Sequence, residues 1–293
     1  MNKIFIFGLG FSAMTLARRL TSGGWRVAGS VRTREKVEAL RAEGVEAVVF
    51  EGAAPGPEVA TALDGATHVL QSIPPGEAGD PVLIHHRADL AARSGTIRWL
   101  GYLSTLGVYG DHGGAWIDET AATAPVSPRN ARRVVAEQDW LRFGEEAGIP
   151  VMLFRIAGIY GPGRNALVNL KAGKARRLVK PGQVFNRIHV ADIAGVLEAS
   201  MARPRAGGVY NLSDDEPGPP QDVIAFAADL MGVAPPPEIA FDDAELTPMA
   251  RSFYSANRRA RNDRIKQELG VELQYPTYRD GLNALFEAGD GRT

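Results

Sequence analysis

The sequence predicts an α/β protein, a doubly wound parallel sheet with a smaller C-terminal lobe, and three observations carry that reading. Residues 3–7 (KIFIF) are a short apolar run closed by Gly8, with a helical pattern following from about Phe11 to Leu20. Short apolar segments then alternate with helical segments, the pattern of strands joined by right-handed crossovers. Two of the later segments, RWLGYL and VMLFRIA, each run into a polar loop containing glycine, which places both loops along one sheet edge.

Bulk properties narrow the possibilities. At 293 residues the chain can bury a large core, and its net charge of −1 creates no field to recruit nucleic acid or an anionic membrane. There is no cysteine, so disulfides, thiolate catalysis and cysteine metal sites are excluded. No apolar run approaches the roughly 18 residues of a membrane span. The N-terminus enters the first strand without a basic region or cleavage site, so the expected location is the cytoplasm.

Strand, glycine turn and helix together give Gly8-x-Gly10-x-x-Ala13 a meaning it would lack alone. Gly8 suits a tight turn and Gly10 leaves room for a pyrophosphate against the main chain. Ala13 still permits close packing of helix on strand. The helix start at Phe11 and Ser12 offers N–H groups and the positive end of a dipole. A dinucleotide cofactor is the expected ligand.

The next strand, Trp25–Ser30, ends in Ser30-Val31-Arg32-Thr33-Arg34, and Thr33 caps a helix running to about Glu43. A carboxylate about 20 residues beyond the glycines would bind ribose hydroxyls, but here a hydroxyl and two guanidiniums stand instead. Arg32 can grip a 2′-phosphate with its planar fork, so NADP(H) is expected over NAD(H). A third strand covers Val45–Phe50. A fourth, His68–Ile73, runs through Ser72 into the rigid turn Pro74-Pro75-Gly76, at the sheet edge where such folds bind their ligand. A helix follows over Val82–Arg93, and its neighbours His85 and His86 have no partners placed for a metal. The fifth strand, Arg98–Leu103, leads into Ser104-Thr105-Leu106-Gly107-Val108-Tyr109-Gly110-Asp111, and a sixth, Val151–Ala157, leads into Gly158-Ile159-Tyr160-Gly161-Pro162-Gly163.

These segments, in this order, resemble the extended short-chain dehydrogenase/reductase superfamily and its NAD-dependent epimerase/dehydratase group. STLGVYGD, FRIAGIYGPG, FNRIHVADIAGVL, VYNLSDDE and the tail NDRIKQELGVELQYPTYRDGL carry the likeness over most of the chain. The resemblance implies a Rossmann fold, residues 1–165 with 186–213 returning to it, and a substrate lobe over 166–293. It assigns Thr105, with Ser104 beside it, to the hydroxyl that hydrogen-bonds the reacting oxygen of a small-molecule substrate. It also implies pairing through helices beside the fifth strand, hence a homodimer. The family's acid/base tyrosine, and the lysine four residues on, fall on Arg129 and Arg133 of a helix beginning at Pro128. Arginine stays protonated, so Arg129 is a poor proton shuttle, whereas Arg133 retains the capacity to donate to ribose hydroxyls. The chain is therefore an atypical member, and Tyr109 leads the candidates for the missing acid, ahead of Tyr102, Tyr160 and His112. The functional expectation is an NAD(P)-binding oxidoreductase or epimerase/dehydratase-like enzyme; the alternative is an NADP(H)-binding sensor without turnover.

In the second lobe the sequence predicts a basic helix over Asn165–Lys180, a strand at Phe185–Val190 and a helix at Ala191–Met201. Val209–Ser213 is the expected last strand of the main sheet, and helices follow at Gln221–Met231 and Asn262–Leu269. Arg258–Arg264 lacks the interleaved aromatics of a nucleic-acid site.

Overall fold

All five residues of the first strand, β1 (Lys3–Phe7), are buried. That is what a strand covered on both faces by helices requires of its side chains. The computed structural model describes residues 2–292. Helix α1 (Phe11–Ser22) follows, then β2 (Arg26–Val31), α2 (Arg34–Ala42), β3 (Glu46–Val49), the single turn α3 (Val59–Ala62), β4 (His68–Gln71), α4 (Pro81–Ala91) and β5 (Trp99–Thr105). The long helix α5 (Pro128–Ala147) comes next. With the strands Val151–Ile156 and Gly208–Leu212, these form one seven-stranded sheet. Its order is Gly208–Leu212, Val151–Ile156, β5, β4, β1, β2, β3. The pairs β1–β2, β1–β4, β2–β3 and β4–β5 are parallel. The strand order reverses direction between β1 and β4, the switch point at which such sheets hold ligands.

The chain divides into two compact units. The first holds residues 1–105, 128–155 and 193–210, and the second holds 106–127, 156–192 and 211–293. The core of the first packs Phe5, Phe7, Val69, Leu100 and Tyr102 with Trp140 and Phe143 of α5. In the second, Tyr160 and Leu167 pack with Ala227, Tyr278 and Leu282. Among the described residues no helix is long and apolar enough to cross a membrane.

Strand and helix order in the first unit follow the sequence expectations within a few residues, Thr33 capping α2 included. One expectation in the second unit is overturned. The basic helix over Asn165–Lys180 is helical only at Ala166–Lys171. Gly173 then takes a φ of +65°, and Arg177–Val179 becomes a strand paired in parallel with Glu238–Ala240. The expected domains, residues 1–165 with 186–213 returning and 166–293, stand beside two compact units whose segments interleave. Residues 106–127 join the second unit because Trp116–Ile117 pairs with Arg259–Ala260. Residues 186–192 stay there because Arg187–His189 pairs with Gly158–Tyr160.

Candidate cofactor site

The glycine turn is built around Gly8. Its φ is +85°, and a Cβ there would lie 2.8 Å from the Ile73 side chain, so both conformation and space demand glycine. The Gly8 N–H donates to Ser30 Oγ at 3.1 Å and the Leu9 N–H donates to the Ser30 carbonyl at 2.9 Å. Gly10 is different: a Cβ added there meets nothing within 4 Å. The main chain at Gly10 therefore faces open space, as close approach of a pyrophosphate requires. Gly10 is also the N-cap of α1 and supplies no capping side chain. The first intrahelical bond runs from the Met14 N–H to the Gly10 carbonyl, so the amides of Phe11, Ser12 and Ala13 precede the helical ladder. Ser12 and Ala13 are buried, Ala13 completely. These features fit a dinucleotide phosphate group.

At the end of β2, two expected contacts separate in role. Ser30 is fully buried and its hydroxyl accepts from the Gly8 amide, so it braces the turn. Arg32 is exposed and makes no hydrogen bond or ion pair among the described residues. No carboxylate ends this strand.

The loop after β4 carries Ser72 and Pro74, half-buried and exposed respectively. A network that sequence reading missed holds it in place. Gln71 Oε1 accepts from the Ile73 N–H at 2.9 Å, and its amide nitrogen donates to both oxygens of Asp80 at 2.9 and 2.8 Å. Asp80 caps α4 through the Val82 and Leu83 amides, and accepts from Trp140 Nε1 at 3.0 Å. Burial pushes the Asp80 pKa upward, against the pull of these donors. The only linear signal was Asp80 directly before Pro81, a capping residue ahead of a proline at the first helical position.

At the end of β5, Ser104 and Thr105 diverge. Ser104 is buried and its hydroxyl donates to Glu137 Oε1 at 2.5 Å. Glu137 is itself paired with Arg155, whose Nη2 lies 2.7 Å from Oε2, and both side chains are nearly inaccessible. The Ser104 hydroxyl is thus engaged with Glu137. Thr105 closes the strand half-buried. Arg133 Nη1 donates to the Leu103 carbonyl at 2.5 Å and to the Tyr102 hydroxyl at 3.3 Å, so its charge is fixed against the end of β5. Arg129, at the tyrosine position that the resemblance implies, is exposed, and α5 contains neither tyrosine nor lysine.

The candidate proton donors are placed unfavourably. Tyr109, in the second unit, is fully buried and its hydroxyl donates to Asn211 Oδ1 at 2.7 Å. Asn211 is anchored in turn by Glu119 Oε1, which accepts its backbone N–H. The Tyr109 hydroxyl is thus engaged with Asn211 in the interior. Tyr102 and Tyr160 are buried as well, and burial raises the phenol pKa of each above its ordinary value. His112 is half-buried, with Nε2 3.2 Å from the Tyr109 carbonyl. His86 is structural, bridging the Gly56 N–H and Asp89, and no group of three or more metal-ligating side chains gathers among the described residues.

Known proteins bear this architecture out. The family model described as NAD dependent epimerase/dehydratase family matches residues 84–213. Protein YeeZ of Escherichia coli is 30% identical over 94% of this chain and 97% of its own length. The chain belongs to that family. A reductase of Streptomyces, the 3-diazoavenalumate denitrifying reductase, is 27% identical over 81% of this chain and 82% of its own length. A solved structure of a functionally unknown conserved protein from Silicibacter pomeroyi is 53% identical and superposes with a TM-score of 0.91, covering 99% of this chain and 100% of that one. The family is NAD(P)-dependent, and its fold is the one described above.

Proposed function

We propose that the chain is an NADP(H)-dependent reductase of a small polar carbonyl compound. Arg32 carries the reading: a guanidinium without a partner among the described residues, at the strand end where a carboxylate would select the unphosphorylated ribose. Gly8, Gly10 and the start of α1 hold the pyrophosphate, Arg32 holds the 2′-phosphate, and Arg133 donates to the nicotinamide ribose. The loop Ser72–Pro74, braced by Gln71 and Asp80, lines the cofactor's path along the sheet edge. Bound there, the nicotinamide supplies or accepts hydride. Thr105 donates its hydroxyl hydrogen to the substrate carbonyl oxygen and so favours the developing alkoxide. The proton that completes the alcohol comes from water, since α5 offers no tyrosine. A relative that is a reductase by name supports the direction of the chemistry.

Titration with NADPH and NADH tests the cofactor half. Wild type binds NADPH at least about tenfold tighter, and Arg32→Ala removes most of that difference while leaving NADH affinity in place. Equal or tighter NADH binding by the wild type overturns it. Turnover against a carbonyl panel tests the rest: Thr105→Val lowers kcat/KM by about a hundredfold with unchanged NADPH affinity.

A further inference from the structure

Within the first unit, a buried carboxylate is linked to the glycine turn through two other residues. Asp80 is buried, and four N–H groups converge on it: the Val82 and Leu83 amides, Trp140 Nε1 and the Gln71 amide nitrogen. A carboxylate that receives these donors serves as an acceptor only. The Gln71 side chain, fully buried itself, has one donor end and one acceptor end. Its NH2 group must face Asp80, which leaves Oε1 to accept from the Ile73 N–H at 2.9 Å. The Asp80 carboxylate therefore decides which way round the Gln71 amide sits.

Ile73 is where that orientation meets the turn. A Cβ at Gly8 would lie 2.8 Å from Ile73 Cγ1 and 3.4 Å from the Ile73 nitrogen, so Ile73 fills the space against Gly8. The Ser72 N–H donates to the Phe7 carbonyl at 3.0 Å, which holds the same stretch to the end of β1. The Gly8 carbonyl in turn accepts from the Gly10 N–H at 2.8 Å. Asp80, Gln71, Ile73, Gly8 and Gly10 thus form a continuous series of contacts. It runs from the cap of α4 to the stretch of main chain that faces open space.

We infer that Asp80 is a positioning residue for the dinucleotide: it fixes the Gln71 amide so that Ile73 seats against Gly8 and the turn stays open to a pyrophosphate. This role presupposes the reading that a dinucleotide occupies the Gly8 turn, and needs neither the preference for NADP(H) nor the reductase chemistry. Asp80→Asn isolates it. Asparagine caps a helix as well as aspartate, so the remaining oxygen keeps the Val82 and Leu83 amides. The new NH2 group stands where Oδ2 received Gln71 and Trp140, donor against donor. Gln71 then turns round to offer its oxygen, which sets its own NH2 against the Ile73 N–H and leaves that N–H without an acceptor.

Calorimetric titration of the full chain with NADPH and with NADH reads the effect, and hydrogen exchange over residues 70–76 reads its cause. Asp80→Asn weakens both nucleotides at least about fivefold and speeds exchange at Ile73, and Gln71→Met does the same. In the double variant the loss of affinity is no larger than in Gln71→Met alone, since both changes act on one bond. Trp140→Phe is the control. It takes another donor from the same carboxylate and lowers the melting temperature, but leaves Gln71 in place, so affinity stays within about twofold of wild type. Asp80→Ser, a cap too short to reach Gln71, gives the same loss of affinity where Asp80→Asn does not fold. The inference is overturned by additive losses in the double variant, or by a loss in Trp140→Phe equal to that in Asp80→Asn, since each makes Asp80 a residue of the fold alone. Wild type that binds neither nucleotide overturns the cofactor reading and this role with it. Wild type that binds, beside an Asp80→Asn that binds equally well, overturns this role alone.

Discussion

The two units differ in how much buried polarity they leave open. In the first, polar side chains inside the fold close on one another: Ser104 on Glu137, Glu137 on Arg155, Gln71 and Trp140 on Asp80. Each closed network braces a strand end or the loop that follows it, so the sheet edge after β4 and β5 is rigid before any ligand arrives. In the second unit, Arg258 Nε, His189 Nε2 and Asp214 Oδ2 are buried without a hydrogen-bond partner among the described residues. Closed networks suit a site that must present the same cofactor cradle every time. Open ones mark places where the protein alone does not finish the hydrogen bonding.

The sharpest way to break this contrast is to remove one member of a closed network. Arg155→Met strands the Glu137 carboxylate in the interior and costs about 3–5 kcal/mol in urea unfolding. Adding Glu137→Leu recovers much of that loss. Arg258→Met in the second unit, by contrast, changes stability by less than about 1 kcal/mol. Similar losses at the two arginines would erase the distinction.

Gly10→Ala tests whether open space in the first unit is meant for a ligand. The backbone at Gly10 has a φ of −91°, which alanine adopts, and its Cβ meets no protein atom. The melting temperature therefore stays within about 2 °C, while NADPH affinity falls at least about tenfold. A variant that binds NADPH like the wild type removes the pyrophosphate from this position.

The smallest effects lie in the pH dependence, where buried histidines and a buried carboxyl act with opposite sign. Burial lowers the His68 pKa in the first unit to about 4, so the unfolded chain takes up a proton below pH 6.5 that the native chain refuses. Its contribution is complete above pH 6.5 and is lost as the pH falls toward 4. His189 in the second unit, likewise lowered by burial to about 4, adds to that acid limb. Asp214 runs the other way. Burial raises its pKa to about 8, with the Arg187 charge opposing, so the native state holds a proton that the unfolded state releases above about pH 4. That contribution fades as the pH rises toward 8. Urea midpoints across pH 4–9 therefore show a shallower acid limb for His68→Gln. Asp214→Asn gains stability over wild type progressively between pH 4 and 8, then no more. Parallel curves for wild type and either variant contradict the corresponding assignment.

The nucleotide unit was legible because its signals are local. The apolar run of β1, the positive φ at Gly8, the spacing to Gly10 and the absence of an acid after β2 all lie within some thirty consecutive residues. The helix expected at Asn165–Lys180 failed for the complementary reason. Arg177–Val179 gains its partner strand from Glu238–Ala240, about sixty residues on, and no local propensity announces that pairing. The hydrogen bonds of Ser104 and Ser30 were illegible in the same way, since the partner of a hydroxyl beside a motif lies far along the chain.

The sequence by itself determined the fold class, the glycine turn and the bare arginine after β2, because adjacent residues sharing a backbone conformation are enough to specify them. Only the tertiary structure decided which polar side chains are free to act. It withdrew Ser104 and Tyr109 into hydrogen bonds with Glu137 and Asn211, and it brought Lys180, Phe241 and Tyr254 together. Burial and hydrogen-bond partnership arise from contacts between distant segments, and these set whether a hydroxyl or guanidinium serves the fold or remains available to a ligand.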